Sequence, residues 1–131
     1  MHLPVTGFFT ALFLLLMIGL SVAVVRRRMQ AGVSLGDGDD KALRQAIRAH
    51  ANAAEHIPLI LIGLGALEAL GAATAALLGY GGVLVVARLL HAMGLSRPNT
   101  ANPLRQIGVI FTWLVMLVQA VHLLVLATPA I

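Results

Sequence analysis

Residues 3–25 contain no charged side chain and run directly into Arg26-Arg27-Arg28. An α-helix needs about 20 apolar residues to cross the ~30 Å hydrocarbon layer, and within that layer a backbone satisfies its polar groups only as helix or closed barrel. This stretch therefore has one conformation open to it, a spanning helix. A cleaved leader would carry its positive charge ahead of a shorter apolar region and end at small residues, whereas here the charge follows a longer run. The segment is expected to be retained.

The same test extends along the chain. Further apolar stretches place helices at about 43–70, 72–94 and 102–127 after a first at about 3–28, so four helices and short connections account for 131 residues as one integral-membrane domain. Composition agrees: 60% of residues are hydrophobic, 11% are charged and mean hydropathy is +0.95, where soluble domains carry about a quarter of their residues charged. The expected fold is an all-α bundle of four transmembrane helices. The chain has no cysteine, which excludes a disulfide framework, a zinc-thiolate centre and a protein thiol nucleophile. Any thiol chemistry must arrive with a ligand.

The connections have their own signatures. Residues 30–41 interleave Gly32, Gly36 and Gly38 with Asp37, Asp39 and Asp40, the composition of a loop. Calcium binding is disfavoured because the spacing lacks the rest of an EF-hand loop and its terminal glutamate. Asp40 is expected instead to cap the helix that follows, and Asn102-Pro103 reads as a second N-cap with proline in the first helical position. Gly71, Gly79, Gly81 and Gly82 permit close approach of backbones around the third helix. Pro58 removes an amide inside the second helix, beside its polar residues.

All nine Lys and Arg residues, Arg26, Arg27, Arg28, Lys41, Arg44, Arg48, Arg88, Arg97 and Arg105, fall in or beside the first and third connections. The positive-inside rule puts those connections in the cytoplasm and both termini on the other side. The net charge of +4 needs no nucleic acid to explain it, because the cytoplasmic leaflet is itself anionic. The same asymmetry gathers the polar helix ends at one membrane face.

Within the second helix, at about 100° per residue, Arg48, Asn52 and Glu55 fall within roughly 60° of one another as one polar stripe. Ionisable groups in membrane helices face the bundle interior or a wet cavity and mark candidate sites. Glu55 also has a plainer reading, as the ion partner of an arginine on a neighbouring helix. Arg88 and His91 stand one turn apart late in the third helix. Arg105 lies in the first turn of the fourth, where the helix dipole disfavours a cation unless an anion is bound there. Headgroup anchoring is the alternative for Arg105 and for the triple arginine. His50 and His56 read as interfacial polar residues, Glu68 as belonging to the opposite surface, and Trp113, Gln119 and His122 as packing, interhelical bonding and anchoring groups.

Taken in order, Ser-Leu-Gly-Asp-Gly (34–38), Arg-Ala-His-x-Asn-x-x-Glu-x-x-Pro (48–58), the Leu67-Glu68 pair and Arg-x-x-His-Ala-x-Gly (88–94) carry a resemblance that covers nearly the whole chain. The sequence resembles the short bacterial members of the MAPEG family, membrane-associated proteins of eicosanoid and glutathione metabolism. That resemblance implies a homotrimer in the bacterial inner membrane, with glutathione as co-substrate bound between neighbouring subunits towards the cytoplasmic side. Family positions matching Asn52 and Glu55 contact glutathione, Glu55 being suited to its α-amino group. Those matching Arg88 and His91 line the same cleft, with Arg48 in the stripe beside them. An arginine at the end of the first helix, one of Arg26 to Arg28 and taken as Arg27, adds a cationic contact. In catalytic members an arginine at the start of the fourth helix faces the sulfur, and Arg105 matches it. Many glutathione-using members carry a tyrosine one turn after the position of His91, where this chain has Leu95; Ser96, Asn99 and Thr100 are the nearby alternatives for a hydroxyl or amide.

The implied function is a membrane-bound glutathione transferase or peroxidase acting on lipophilic electrophiles or hydroperoxides. Its partners are then a second and third copy of itself, glutathione, a lipophilic substrate and membrane lipids. Lowering a thiol pKa by about two units from about 8.5 requires about 2.7 kcal/mol of preferential thiolate stabilisation. Arg105 and its helix terminus are the groups placed to supply it. Two other classes compete: a non-catalytic MAPEG-like protein that holds a lipid or thiol, and a small four-helix exporter of hydrophobic cations. The exporter needs an acid in its first helix, and residues 3–28 contain none.

Overall fold

Four α-helices make up the computed structural model, which describes residues 2–97, 99 and 101–130. In chain order they are α1 (Pro4–Ala31), α2 (Lys41–Ala69), α3 (Thr74–Leu95) and α4 (Pro103–Ala127), followed by a 3-10 turn at Thr128–Ala130. Each boundary has a local cause. α1 begins with proline in its first turn and continues through the triple arginine to Ala31, a turn further than expected, because arginine is a good helix former. It stops only at Gly32, which takes the left-handed conformation at φ 66°. Arg28 then donates to the Gly36 carbonyl at 2.8 Å and folds the loop back on the helix end. As expected, Asp40 caps α2, its carboxylate accepting from the Leu43 amide at 2.6 Å. Asn102 caps α4 ahead of Pro103, accepting from the Arg105 amide at 3.2 Å.

The packing is a rhombus. α2 and α3 form the shared centre, α1 packs chiefly on α2 and α4 chiefly on α3, and α1 and α4 do not touch. The core between them is aromatic and branched: Phe9 and Phe13 from α1, Ile57, Ile60, Leu64 and Leu67 from α2, Leu77 and Leu84 from α3, and Val115 from α4. Leu15, Ile18, Leu59, Ile62, Leu117 and Leu124 point outward and exposed, as a bundle solvated by lipid requires.

Among the described residues α1, α3 and α4 are long and apolar enough by themselves to cross a membrane. α2 is the fourth helix of the expected bundle. That helix has the length, but Lys41, Arg44, Gln45, Arg48, Asn52, Glu55 and His56 occupy its first half, and it is apolar only from Ile57 onward. Contact with the other three helices holds it in the bundle.

Close helix approach also differs from expectation. Of the four glycines named above only Gly81 serves it, since a Cβ there would strike the Phe9 ring, whereas Gly71, Gly79 and Gly82 meet open space. The tight contacts lie between α3 and α4. A Cβ on Gly94 would sit 2.5 Å from the Arg105 amide nitrogen, and one on Gly108 would sit 2.5 Å from the Ala87 carbonyl and 2.7 Å from the His91 nitrogen. At the far end of the bundle Glu68 accepts the amides of Val5 and Thr6 at 2.9 and 2.8 Å, capping α1 from across the bundle. The C-terminal ends of α1 and α3 and the N-terminal ends of α2 and α4 therefore meet at the opposite, arginine-rich end.

Candidate functional site

At that end a cavity of about 650 Å³ opens between three helices. α2 supplies Lys41, Arg44, Gln45, Arg48, Asn52 and His56; α3 supplies Arg88, His91 and Leu95; α4 supplies Arg105, Val109, Thr112 and Trp113. The α2 wall follows the row Arg44, Arg48, Asn52, His56. An i, i+4 row winds about 40° around the helix at each step, so the wall turns away from Glu55 as it deepens. His56 closes this row by donating from Nδ1 to the Asn52 carbonyl at 2.9 Å.

The α3 wall contains the costly groups. Arg88 and His91 are each 2% exposed. Arg88 Nε, both ring nitrogens of His91 and the Asn52 Oδ1 are buried without a hydrogen-bond partner among the described residues, although the Arg105 main chain lies alongside the His91 ring and the charge of Glu55 acts on Arg88. Buried polar atoms are nearly always satisfied, and a buried cation whose counter-ion is not hydrogen-bonded to it is unfavourable. Lys41, Arg44, Arg48, Arg88 and Arg105 line the cavity, and no carboxylate does. Such a hollow is built for an anion with hydrogen-bonding groups of its own.

At the mouth, Arg44 is shared with the loop. Its Nε lies 2.5 Å from Asp37 and its Nη2 3.3 Å from Asp39. The Arg44 hydrogen bond holds the Asp37 carboxyl below its ordinary value. On the opposite side, Arg105 occupies the first turn of α4, where the helix dipole adds to its charge.

A family model described as the MAPEG family matches residues 6–125. The chain belongs to the MAPEG family. Among curated proteins it is similar to inner membrane protein YecN of Escherichia coli strain K12, at 36% identity over 115 residues covering 88% of this chain and 86% of the relative. The YecN protein of Escherichia coli O6:H1 strain CFT073 gives the same figures. With three helices apolar enough to span, this is an integral membrane protein of helical-bundle type.

Of the site residues expected for a MAPEG chain, Arg48, Asn52, Arg88, His91 and Arg105 come together around the cavity. Arg27 does not, and Glu55 does not line the cavity, although its charge acts on Arg88 as the plainer reading of Glu55 expects. Glu55 is exposed on the outer side of α2, because the wall follows the i+4 row and Glu55 lies on the i+3 row. Arg27 is exposed and donates to Gln30 at 3.1 Å, and the neighbouring Arg28 is committed to the loop.

On α2 four lining residues were missed by sequence reasoning, Lys41, Arg44, Gln45 and His56, and on α4 Val109 and Thr112 carried no signal. The signal for the four on α2 was the four-residue spacing of polar groups through the first half of that helix. Leu95 lines the cavity at 6% exposure where the tyrosine of other members would stand. Ser96 donates to the Ala92 carbonyl and Asn99 accepts the Ala101 amide, so neither replaces it. Thr100 lies outside the described residues. Thr112 does line the cavity, but its hydroxyl is spent on the Gly108 carbonyl at 2.7 Å. Trp113 stands at the cavity edge, His122 bonds Tyr80 at 3.0 Å, and Gln119 is buried against Gly63.

Proposed function

We propose that this protein binds glutathione in the cationic cavity and activates its thiol as a thiolate, as a membrane-bound transferase or peroxidase for lipophilic substrates. One observation supports the reading above the others. Arg88 and His91 are buried, with Arg88 Nε and the His91 ring nitrogens unsatisfied among the described residues, in a cavity that five cations and no acid line. Glutathione carries two carboxylates and one ammonium, and its sulfur becomes a third anionic centre on ionisation. Arg48 and Arg88 are placed for the carboxylates, Asn52 Oδ1 for an amide donor, and Arg105 for the sulfur.

The chemistry then follows. Thiolate attack on an electrophilic carbon forms a C–S bond, and the leaving group departs with its electron pair. With a hydroperoxide, attack on the terminal oxygen breaks the O–O bond. That gives an alcohol and a sulfenic acid, which a second glutathione converts to disulfide and water. Arg105 stabilises charge in both routes and is neither nucleophile nor base. Its neighbours Val109 and Trp113 present apolar surface to a substrate arriving from lipid. In this reading the protein is a homotrimer with its arginine-rich end cytoplasmic. Glu55 and Arg27 then face the cavity of an adjoining copy, where Glu55 receives the α-ammonium.

Calorimetry with glutathione and an S-alkyl analogue, on the wild type and on Glu55→Gln, is the direct test. Binding is expected for both ligands and weakens in the variant. No heat with either ligand would remove glutathione from the proposal. Thiolate absorbance of the bound complex is expected to vanish in Arg105→Ala while binding survives; retained absorbance would take Arg105 out of the mechanism. A second reading, a non-catalytic member that holds its ligand without turnover, draws on Leu95, which places no hydroxyl where other members place one. It predicts binding heat with no conjugation of an aryl halide and no consumption of an organic hydroperoxide.

A further inference from the structure

Asn102 is 7% exposed in the turn that joins α3 to α4, and it does not line the cavity. Its side chain makes three hydrogen bonds, all to main chain. Oδ1 accepts from the Arg105 amide at 3.2 Å, while Nδ2 donates to the Gly94 carbonyl at 2.7 Å and to the Asn99 carbonyl at 2.6 Å. The first is an ordinary helix cap, which serine would supply about as well. The other two are beyond a cap, because a hydroxyl cannot donate twice in that geometry. The bond to Gly94 reaches back across the connector to the last turn of α3, three residues past His91, and the bond to Asn99 holds the connector itself. One carboxamide thus joins the turn that carries Arg105 to the turn that follows His91. The join sits where a Cβ on Gly94 would lie 2.5 Å from the Arg105 nitrogen, so the two backbones are already in contact.

We propose that Asn102 is a positioning residue for Arg105: it sets the register of α4 against α3, and so the distance from the Arg105 guanidinium to a sulfur bound beside His91. This rests on the reading that Arg105 stabilises a bound thiolate. A displacement of about 1 Å in such a group costs on the order of a hundredfold in rate. A cap that only stabilised the helix would have no such effect.

Asn102→Ser keeps the cap and removes both donated bonds; Asn102→Ala removes all three. The full-length protein in detergent is titrated for the thiolate of bound glutathione, with glutathione affinity measured by calorimetry and kcat and KM by aryl halide conjugation. Expected for Asn102→Ser is affinity within about threefold of wild type, a bound-thiol pKa raised by about one unit, and kcat lowered about tenfold at little-changed KM. Asn102→Ala is expected to show the same shift with a lower melting temperature. If Asn102→Ser keeps the wild-type thiol pKa and kcat, and only Asn102→Ala suffers, Asn102 is a cap alone and the proposal falls. Should Asn102→Ser not fold, Asn102→Thr retains a capping hydroxyl and takes its place. A wild-type protein that gives no heat with glutathione overturns the functional reading and this one together. Binding without a thiolate signal overturns the role of Arg105 and, with it, that of Asn102.

Discussion

Glu68, in the last turn of α2, accepts the main-chain amide of Thr6 at 2.8 Å, although 62 positions separate them in sequence. Its other oxygen takes the Val5 amide. The first turn of a helix has no internal partners for its amides and favours a negative charge, so α1 depends on α2 for its start. Glu68→Gln leaves one acceptor and Glu68→Ala none. The melting midpoint is expected to fall by a few degrees in the first and further in the second. Glutathione affinity, measured at the opposite end of the bundle, should stay within about twofold. Equal melting of both variants and wild type would show that the cap contributes nothing.

Gly108 and Gly79 offer a matched pair. An alanine at 108 drives its Cβ into the Ala87 carbonyl and the His91 nitrogen, whereas at 79 it meets nothing within 4 Å. Gly108→Ala is expected to cost about 1–3 kcal/mol and to reduce turnover by moving Arg105 away from His91. Gly79→Ala should be neutral or slightly stabilising, since alanine suits a helix better than glycine. Denaturation in a single detergent, read by circular dichroism, orders the two.

Removing the buried guanidinium of Arg88 should have opposite effects on stability and binding. Arg88→Met replaces a poorly partnered buried cation by an apolar chain of comparable length, and such exchanges are often neutral or stabilising by about 1–4 kcal/mol. The empty variant is expected to melt no lower than the wild type. Its glutathione affinity should fall by at least about tenfold, the loss of a charge-assisted contact. A variant that melts lower in the absence of ligand would mean that Arg88 holds the fold rather than the ligand.

Acid should open the loop before it unfolds the bundle. The Asp37 carboxyl is held below the usual carboxylate range by its hydrogen bond to Arg44. A depressed folded pKa means that the contribution is fully present above the unfolded value of about 3.9 and is lost as pH falls through the folded one. Protection of the amides of residues 32–40, read as the ratio of intrinsic to observed exchange rate, is expected to be high at pH 5 and to be lost as pH falls through the folded Asp37 value. Asp37→Asn should lack it throughout. Protection in that variant at neutral pH would take the pair out of the loop's anchoring.

The helices were legible because the bilayer permits few alternatives: residues 3–25 had one conformation available, and Asp40, Asn102 and Pro103 marked where the next helices begin. Arg48, Asn52, Arg88, His91 and Arg105 were legible as a group because cations inside apolar helices have to share a partner. The direction of the cavity wall was not. Between Asn52 and Glu55 the choice depends on whether the wall follows the i+3 or the i+4 row, and the packing of α2 against α4 decides that. The tight glycines were misplaced for a similar reason. Gly79 and Gly82 sit in a glycine-rich run yet face outward, while Gly94 and Gly108 stand alone in sequence and meet only when α3 and α4 are brought together. Glu68 was placed at the correct end, but its partners are backbone amides, which carry no side-chain signature.

The glycine contacts at 94 and 108 make the two sides of the hollow mechanically unequal. On the α3–α4 side main chain rests on main chain, with no flexible side chain in between to yield, so His91 and Arg105 form a fixed jaw. On the α2 side Arg44 and Arg48 are long, exposed arms. A bulkier guest would be met by movement of Arg48, while His91 and Arg105 stay where they are.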